Sequence, residues 1–578
     1  MFCRKFFFQI GVPIRFRLGG ADEKTTTTTT NDKPLHNLLI NKNTTKMISY
    51  LHPLVRQATA RDFLSSCRHI SLNRSYHATS FLDREKLSVA IVGTGPSGCY
   101  TAKYLLSSLK RAKEETASSQ DSPNKYKFIQ ELDRVDIDMI DKLPTPFGLV
   151  RSGVAPDHPL VKNVENDFSL LFHSTGQNND EDAPIQSSME FRGNVTIGKD
   201  VSLQELQGLY DIVVLAYGCE SDRKLGLEGE DLNGVFSARE FVAWYNGHPD
   251  FSHMGTEFQR ALQDPKNAQV VVIGQGNVAL DCARVLAKGQ KELVDTDITS
   301  HSLDVIQDGV KQTTVLGRRG HIQGAFTIKE LRELTKLNDA SFIVDQNELD
   351  AGATPASIEE LNGPGSRPKV RIDQLLRDTA SKPIDKHEKE VRVRFLLNPV
   401  KFIPDPVDTS KLGSVLCERT KLEGEPGKQV AVGTGETEEI PANLALVSIG
   451  YKGLQLSGMD DSLFDQRRGV VKNVHGKVEG NLYVSGWLKR GPSGIIGTNI
   501  ADAKDTVSSI MKYIQDIPED DVGGRGGLDN LLSERAVQSV DWSSYQNIDA
   551  AEKDASRLRT IDQPREKFTN VNEMLQFR

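Results

Sequence analysis

Two segments of the chain share one plan. KLSVAIVGTGPSGCYTAKYLLSSL, beginning at Lys86, and QVVVIGQGNVALDCARVLAKG, beginning at Gln269, each run from a short apolar strand into a glycine turn and out into a stretch of helical periodicity. Such a unit aims the first amides of a helix at the end of a strand, where they can cradle a pyrophosphate. Two copies imply two dinucleotides. A chain of 578 residues is too long for one hydrophobic core and has room for both. The expected fold class is therefore α/β, with two Rossmann-like dinucleotide-binding domains. DIVVLAYG, beginning at Asp211, and LALVSIG, beginning at Leu444, are apolar strands ending in glycine turns on either side of the second copy. They read as the places where the chain leaves one domain and returns to it, so the second domain is inserted in the first.

The two turns differ at the end of the next strand. In the first, Gly93 permits the tight turn, Gly95 lets backbone approach the pyrophosphate, and Gly98 lets helix pack on strand. The strand after it, VDIDMIDKL, ends near Asp141, a carboxylate that can accept hydrogen bonds from a ribose. In the second turn Gly274 and Gly276 are followed by Ala279, and the strand TTVLG ends in Arg318 and Arg319. A carboxylate would repel a ribose 2′-phosphate, whereas two guanidiniums bind it through charge-assisted forks. FAD in the first site and NADPH in the second would make the chain a flavoprotein oxidoreductase.

The remaining sequence limits the alternatives. A net charge of -8 argues against a general nucleic-acid binder, and no apolar run approaches the length of a membrane span. Any membrane association is at most peripheral. The six cysteines, Cys3, Cys67, Cys99, Cys219, Cys282 and Cys417, form no CxxC pair, so no redox dithiol or zinc cluster is signalled. An NADPH-dependent disulfide or quinone reductase, and a nucleotide-sensing protein without turnover, stay open on these residues alone. Residues 1–80 read as a mitochondrial targeting leader: from Met47, a second candidate start, to Phe81, Arg56, Arg61, Arg68 and Arg74 face one acid, Asp62. Gln177 to Ser188, Ala351 to Pro368 and Lys421 to Glu439 are polar, weakly periodic and expected to be surface excursions.

Beyond the glycine turns, PFGLVRSGVAPDHPLVKNV, SAREFVAWYNG, GRRGHIQGAFTIKELREL, LVSIGYKG, SGWLKRGPSGIIGT, DWSSYQNIDAAE and QPREKFTNVNEML occur in order from about Lys86 to the C-terminus. In these strings the chain closely resembles the mitochondrial adrenodoxin reductase family, NADPH:ferredoxin reductases of the glutathione-reductase-like flavoprotein class. The resemblance implies an FAD domain at 86–218 and 450–578, the latter with a C-terminal extension, and an NADP domain at 219–449. It implies FAD contacts at Ser97, Asp141, Leu149, Ile197, Trp487, Gly494, Ile495 and Ile496. It places NADPH at Gln275, Gly276, Asn277, Val278, Arg318, Arg319 and Glu330, the last orienting the nicotinamide.

His158 and Asp281 resemble a pair that manages charge near the active site, and Arg332, Arg367 and Arg371 resemble arginines that meet an acidic [2Fe-2S] ferredoxin. The implied activity takes hydride from NADPH and passes single electrons to that ferredoxin. The implied location is the mitochondrial matrix, with or without contact to the inner membrane, and the electrons would serve iron–sulfur assembly, haem synthesis or P450 hydroxylation. The chain departs from the family pattern at Asp141, where a glutamate is usual, and at His321 and Gly324, which replace a proline and a valine.

Overall fold

The structure, a computed structural model, describes residues 85–118, 127–173, 183–384, 386–516, 522–558 and 563–578. The expected leader and the alternative start at Met47 lie outside the described residues, as does the first half of the Gln177–Ser188 segment. Both glycine units form as expected. In the first, strand β1 (Lys86–Val92) leads into helix α1 (Pro96–Ser118), and β2 (Arg134–Ile140) lies parallel to β1. In the second, β3 (Gln269–Ile273) leads into α2 (Asn277–Leu293) and pairs in parallel with β4 (Gln312–Gly317).

Each unit lies inside its own six-stranded sheet. The first orders Lys477–Glu479, Leu482–Val484, Ile212–Leu215, β1, β2 and Gln186–Arg192. The second orders Val235–Ser237, Leu444–Val447, β3, β4, Lys389–Phe395 and Ala340–Val344, all in parallel. Every strand of the second sheet falls between the fourth and fifth strands of the first along the chain, which is the nesting expected.

The chain crosses between the sheets close to the two expected strands. The strands of DIVVLAYG and LALVSIG belong to different sheets and do not pair with each other. The chain crosses just beyond them, where Ser221–Asp222 pairs antiparallel with Tyr451–Lys452. Both dipeptides come after the glycine turns at Gly218 and Gly450, whose positive φ angles redirect the chain.

Two of the expected surface excursions, and the end of the third, are regular structure. Gln186–Ser188 opens the edge strand of the first sheet. The segment from Ala351 to Pro368 is largely helical: Pro355 at the first turn of Pro355–Asn362 is preceded by Thr354, whose side chain accepts from the Ser357 amide. Lys421 to Glu439 closes a three-stranded antiparallel sheet of Leu397–Pro404, Leu412–Glu423 and Val430–Pro441. Its buried Leu412, Val415 and Cys417 pack with Val271, Ile273 and Leu316 of the second sheet. The polar sequence misled because only one face of this small sheet is buried.

The C-terminal segment ties the two sheets' surroundings together. Glu552, fully buried, pairs with the Arg151 guanidinium at 2.5 Å and accepts from the Phe568 amide at 3.0 Å. The tail beyond it reaches residues next to the second sheet: Gln563 donates to the Ile298 carbonyl at 2.5 Å, and the Lys567 ammonium meets Asp297 at 2.7 Å. Removing one partner of a buried pair leaves an uncompensated charge. Glu552→Leu is accordingly expected to lower the unfolding free energy by about 3 to 5 kcal/mol, read by denaturant titration.

Candidate active site

The first glycine turn is shaped by backbone at Gly93 and Gly98. The Gly93 amide donates to the Ile140 carbonyl at 2.7 Å, and φ at Gly93 is +107°. A Cβ there would lie 2.5 Å from the Ala216 carbonyl oxygen. At Gly98 a Cβ would overlap the Gly93 carbonyl, so helix α1 closes onto the turn only without a side chain. Gly95 has only the Gly148 Cα, 4.0 Å away, near its Cβ position, which leaves its outer side open to a ligand.

Most of the residues expected at FAD gather here. The Phe147 amide donates to the Thr94 carbonyl at 3.2 Å, which brings Gly148 and the half-exposed Leu149 beside the turn. The Thr101 hydroxyl donates to Ser485 Oγ at 2.9 Å, Ser97 Oγ donates to Asn499 Oδ1 at 3.2 Å, and helix Thr498–Tyr513 packs against α1. These contacts set the SGWLKRGPSGIIGT string against the turn. Within it, Trp487 donates to the Ser493 carbonyl at 3.2 Å, and Gly494 and Ile495 are exposed. Ile197 is different: its side chain is buried with Ala90, Val92 and Ile140, so only its backbone is available to a cofactor.

Asp141 is engaged within the protein. Its Oδ2 accepts from the Thr94 amide at 3.0 Å and the Thr94 hydroxyl at 2.5 Å, and its Oδ1 accepts from the Leu143 amide at 3.1 Å. Burial pushes its carboxyl above the ordinary value, and the Thr94 and Leu143 hydrogen bonds oppose that shift. The shorter acid thus closes the glycine turn onto the end of β2. Thr94, in the second position of the turn, was not foreseen as its partner.

The second turn repeats the construction. Gly274, with φ at +141°, donates to the Leu316 carbonyl at 2.9 Å, and a Cβ there would overlap the Ser448 carbonyl. Nothing stands near the Cβ position of Gly276. The side chains of Gln275 and Asn277 are already engaged. Gln275 packs on Gly317 and donates to the Arg394 carbonyl at 3.3 Å, while Asn277 Oδ1 accepts from the Thr327 amide at 2.8 Å. Val278 is partly buried against the core.

Arg318 and Arg319, at the end of β4, are exposed, and neither forms an ion pair among the described residues. Two cations without carboxylate partners suit an incoming phosphate. His321 is buried beneath this loop with Nε2 2.7 Å from Asp373 Oδ1. Gly324 sits at φ -59°, and the loop remains attached through the Ala325 amide, which donates to the Gln275 carbonyl at 2.8 Å.

The expected pair of His158 and Asp281 is corrected into a larger cluster. His158 Nε2 lies 2.6 Å from Glu333 Oε2 and 3.6 Å from Glu330 Oε2. Asp281 is paired instead with Arg284, Nη2 to Oδ1 2.8 Å. Electrostatically the histidine still favours the Asp281 carboxylate. Burial first, then the neighbouring Asp281 charge, pushes the Glu330 carboxyl upward. Glu330 Oε2 is buried without a hydrogen-bond partner among the described residues, 3.5 Å from Arg284 Nη1 and 3.6 Å from His158 Nε2. His158, Glu330 and Glu333 offer ligand atoms within 4.8 Å of one another, but the Arg284 guanidinium, 3.2 Å from Glu333 and 3.5 Å from Glu330, already supplies positive charge there. Arg284 and Glu333 escaped the sequence reading, although each sits one helical turn from an expected residue, Asp281 or Glu330.

Arg332, Arg367 and Arg371 are all exposed and form no ion pair among the described residues. Their helices, α3 (Ile328–Leu334) and α4 (Arg367–Ala380), pack together, and α4 buries Ile372 and Leu376 on its inner side. The thiols of Cys99, Cys219, Cys282 and Cys417 are free and buried. Burial pushes Cys219 and Cys417 up to about 12 and raises the other two as well. None is a thiolate at neutral pH, which argues against disulfide chemistry through them.

The mitochondrial NADPH:adrenodoxin oxidoreductase of Arabidopsis thaliana is 39% identical over 507 residues, covering 85% of this chain and 95% of that protein. The chain belongs to the NADPH:adrenodoxin oxidoreductase family. The Homo sapiens protein of the same name is 37% identical over 90% of this chain and 96% of its own length. Residues 87–334 match the pyridine nucleotide-disulphide oxidoreductase family. A solved structure of FprA, a Mycobacterium tuberculosis oxidoreductase, superposes with a TM-score of 0.71 at 36% identity, covering 85% of this chain and 98% of FprA. Members of the adrenodoxin oxidoreductase family are FAD enzymes that use NADPH, and the glycine cradles and free arginines fit those two groups.

The two turns are expected to fail independently. Gly93→Ala should purify with on the order of a tenth of the normal FAD, because its Cβ has no room. Gly274→Ala should keep its flavin absorbance and lose NADP+ affinity by roughly tenfold or more, measured by calorimetry.

Proposed function

We infer that this chain is a mitochondrial NADPH:ferredoxin oxidoreductase that delivers single electrons to an acidic [2Fe-2S] ferredoxin. The observation that carries the reading is the contrast between the two turns. One is closed by a carboxylate, and the other opens onto two exposed, unpaired arginines. That contrast favours FAD in the first and NADPH in the second. The relatives named mitochondrial NADPH:adrenodoxin oxidoreductase and NADPH-ferredoxin reductase support the choice of acceptor, and the arginine-rich composition of the leader supports the compartment.

FAD, when bound, supplies a centre that accepts electrons in pairs and releases them singly. The chain's own residues do the rest. We assign residues 86–218 and 450–578 to the FAD domain and 219–449 to the NADP domain. The amides from Thr94 to Gly98 would hold the FAD pyrophosphate, with Asp141, Leu149, the Ile197 backbone, Trp487 and Gly494 to Ile496 around the rest. The amides from Gln275 to Val278 would hold the NADPH pyrophosphate, Arg318 and Arg319 its 2′-phosphate, and Glu330 its carboxamide. His158 and Asp281 would balance charge at the same place. Arg332, Arg367 and Arg371 would steer an acidic partner onto a chain whose overall charge is itself negative. We place the enzyme in the matrix, feeding ferredoxin-dependent iron–sulfur assembly, haem synthesis or P450 hydroxylation.

The test is NADPH-dependent cytochrome c reduction with and without a mitochondrial [2Fe-2S] ferredoxin. Strong dependence on ferredoxin is expected; a rate that ferredoxin leaves unchanged would favour a quinone or another acceptor. Arg318→Ala and Arg319→Ala should each cut the preference for NADPH over NADH by about 10-fold to 100-fold, the worth of one charge-assisted hydrogen bond. Charge reversal of Arg332, Arg367 and Arg371 should slow ferredoxin reduction and flatten its salt dependence while leaving ferricyanide reduction unchanged.

A further inference from the structure

The guanidinium of Arg284 is the most heavily committed charged group near the expected nicotinamide. It is 1% exposed. Its Nε and Nη2 donate to the two oxygens of Asp157 at 2.7 and 3.0 Å, a bidentate fork. Nη2 also pairs with Asp281 at 2.8 Å, and Nη1 reaches Glu333 at 3.2 Å and Glu330 at 3.5 Å. These partners come from three elements. Asp157 adjoins His158 in the loop after Leu149–Ser152, on the first-sheet side of the chain. Asp281 lies on α2 with Arg284 itself, and the two glutamates lie on α3.

We propose that Arg284 is a positioning residue for the coenzyme reaction: its buried guanidinium pins the His158 loop to α2 and α3, and so holds Glu330 where a carboxamide can reach it. The proposal rests on the reading of the α2 turn as the NADPH site. Helix α2 then does two things at once. Its first turn faces the pyrophosphate, and Arg284, two turns later, fixes the acidic groups around the reacting end. A lysine could not replace it, because one point charge cannot fork onto Asp157 while also reaching Glu333.

Charge gives the proposal a signature that simple packing would not have. The groups facing Arg284 are Asp157 and His158 from the loop, Asp281 and Lys288 from its own helix, Lys329, Glu330 and Glu333 from α3, and Tyr245, whose hydroxyl is buried nearby. Burial holds Asp281 and Glu330 above the usual carboxylate range, and Arg284 draws both back down. Without the guanidinium, Asp281, Glu330 and Glu333 face one another with too little positive charge, and added protons must keep them together. The arrangement should then survive at low pH and be lost as pH rises and those protons leave.

The experiment is anaerobic stopped-flow reduction of the FAD-loaded enzyme by NADPH across neutral pH, for the natural protein and for Arg284→Met, Arg284→Lys and Asp157→Asn. NADP+ affinity and flavin content are measured in parallel. Arg284→Met should bind NADP+ within about twofold of the natural protein, yet reduce its flavin about 10-fold to 100-fold more slowly, the range for a misplaced reacting group. Its rate should fall with rising pH where the natural enzyme is flat.

Arg284→Lys should lessen the pH dependence without restoring the rate. Asp157→Asn, which frees the guanidinium but keeps its charge, should be slow without the new pH dependence, and it stands in if Arg284→Met does not retain FAD. A natural rate and flat profile in Arg284→Met, or in Asp157→Asn when the former cannot be loaded, would overturn the proposal. So would a slow rate that tracks lost NADP+ binding. If NADPH fails to reduce the natural protein, the coenzyme reading itself falls, which is a separate outcome.

Discussion

The contact on which the rest of the molecule depends is made twice: a glycine pressed against the backbone just past the end of a neighbouring strand. At Gly93 the neighbour is Ala216, whose amide donates to the Val92 carbonyl at 2.7 Å; at Gly274 it is Ser448, whose amide donates to Ile273 at the same distance. No side chain fits between chain segments this close, so each turn can be built only from glycine. The same contact sets three features at once. It fixes the direction in which helix α1 or α2 leaves, it aims the first amides of that helix outward, and it brings the neighbouring strand's glycine exit to the point where the chain crosses between sheets. Ser221–Asp222 and Tyr451–Lys452, which pair at the crossing, come directly after those exits.

Electrostatics then separates two otherwise equivalent cradles. The first has its strand-end carboxylate drawn into the turn by Thr94 and Leu143. The second leaves Arg318 and Arg319 in solvent, where charge-assisted forks can form without first breaking an internal pair. Four carboxylates, Asp157, Asp281, Glu330 and Glu333, converge on the one buried guanidinium of Arg284, which holds them together. Buried ion pairs of this kind add little to stability, but removing one partner is costly. A role in placing groups explains such a cluster better than a contribution to folding does.

Much of this was legible in the sequence because the signals are local. A strand, a glycine turn and a helix occupy about twenty consecutive residues, and the nesting could be read from apolar strands on either side of the second copy. Long strings such as SGWLKRGPSGIIGT carried the family. The features that stayed hidden were set by distant partners. The hydrogen bonds of Asp141 to Thr94, the burial of the Ile197 side chain and the fork of Arg284 onto Asp157 span tens to more than a hundred residues of chain. The three-stranded sheet was missed for another reason: with one face in solvent, Lys421 to Glu439 reads as polar coil. Arg284 and Glu333 could have been found by helical spacing alone, since each lies three residues from a recognised carboxylate.

The most direct test of the electron path is a stoichiometric one. Flavin-loaded protein, held without oxygen, receives one equivalent of NADPH and then an excess of oxidised [2Fe-2S] ferredoxin, and both absorbance spectra are followed. Because a hydride carries two electrons and the ferredoxin accepts one, each NADPH consumed should yield two reduced ferredoxins and return the flavin spectrum to its starting form. Bleaching of the flavin by NADPH with no reduced ferredoxin formed would contradict the account.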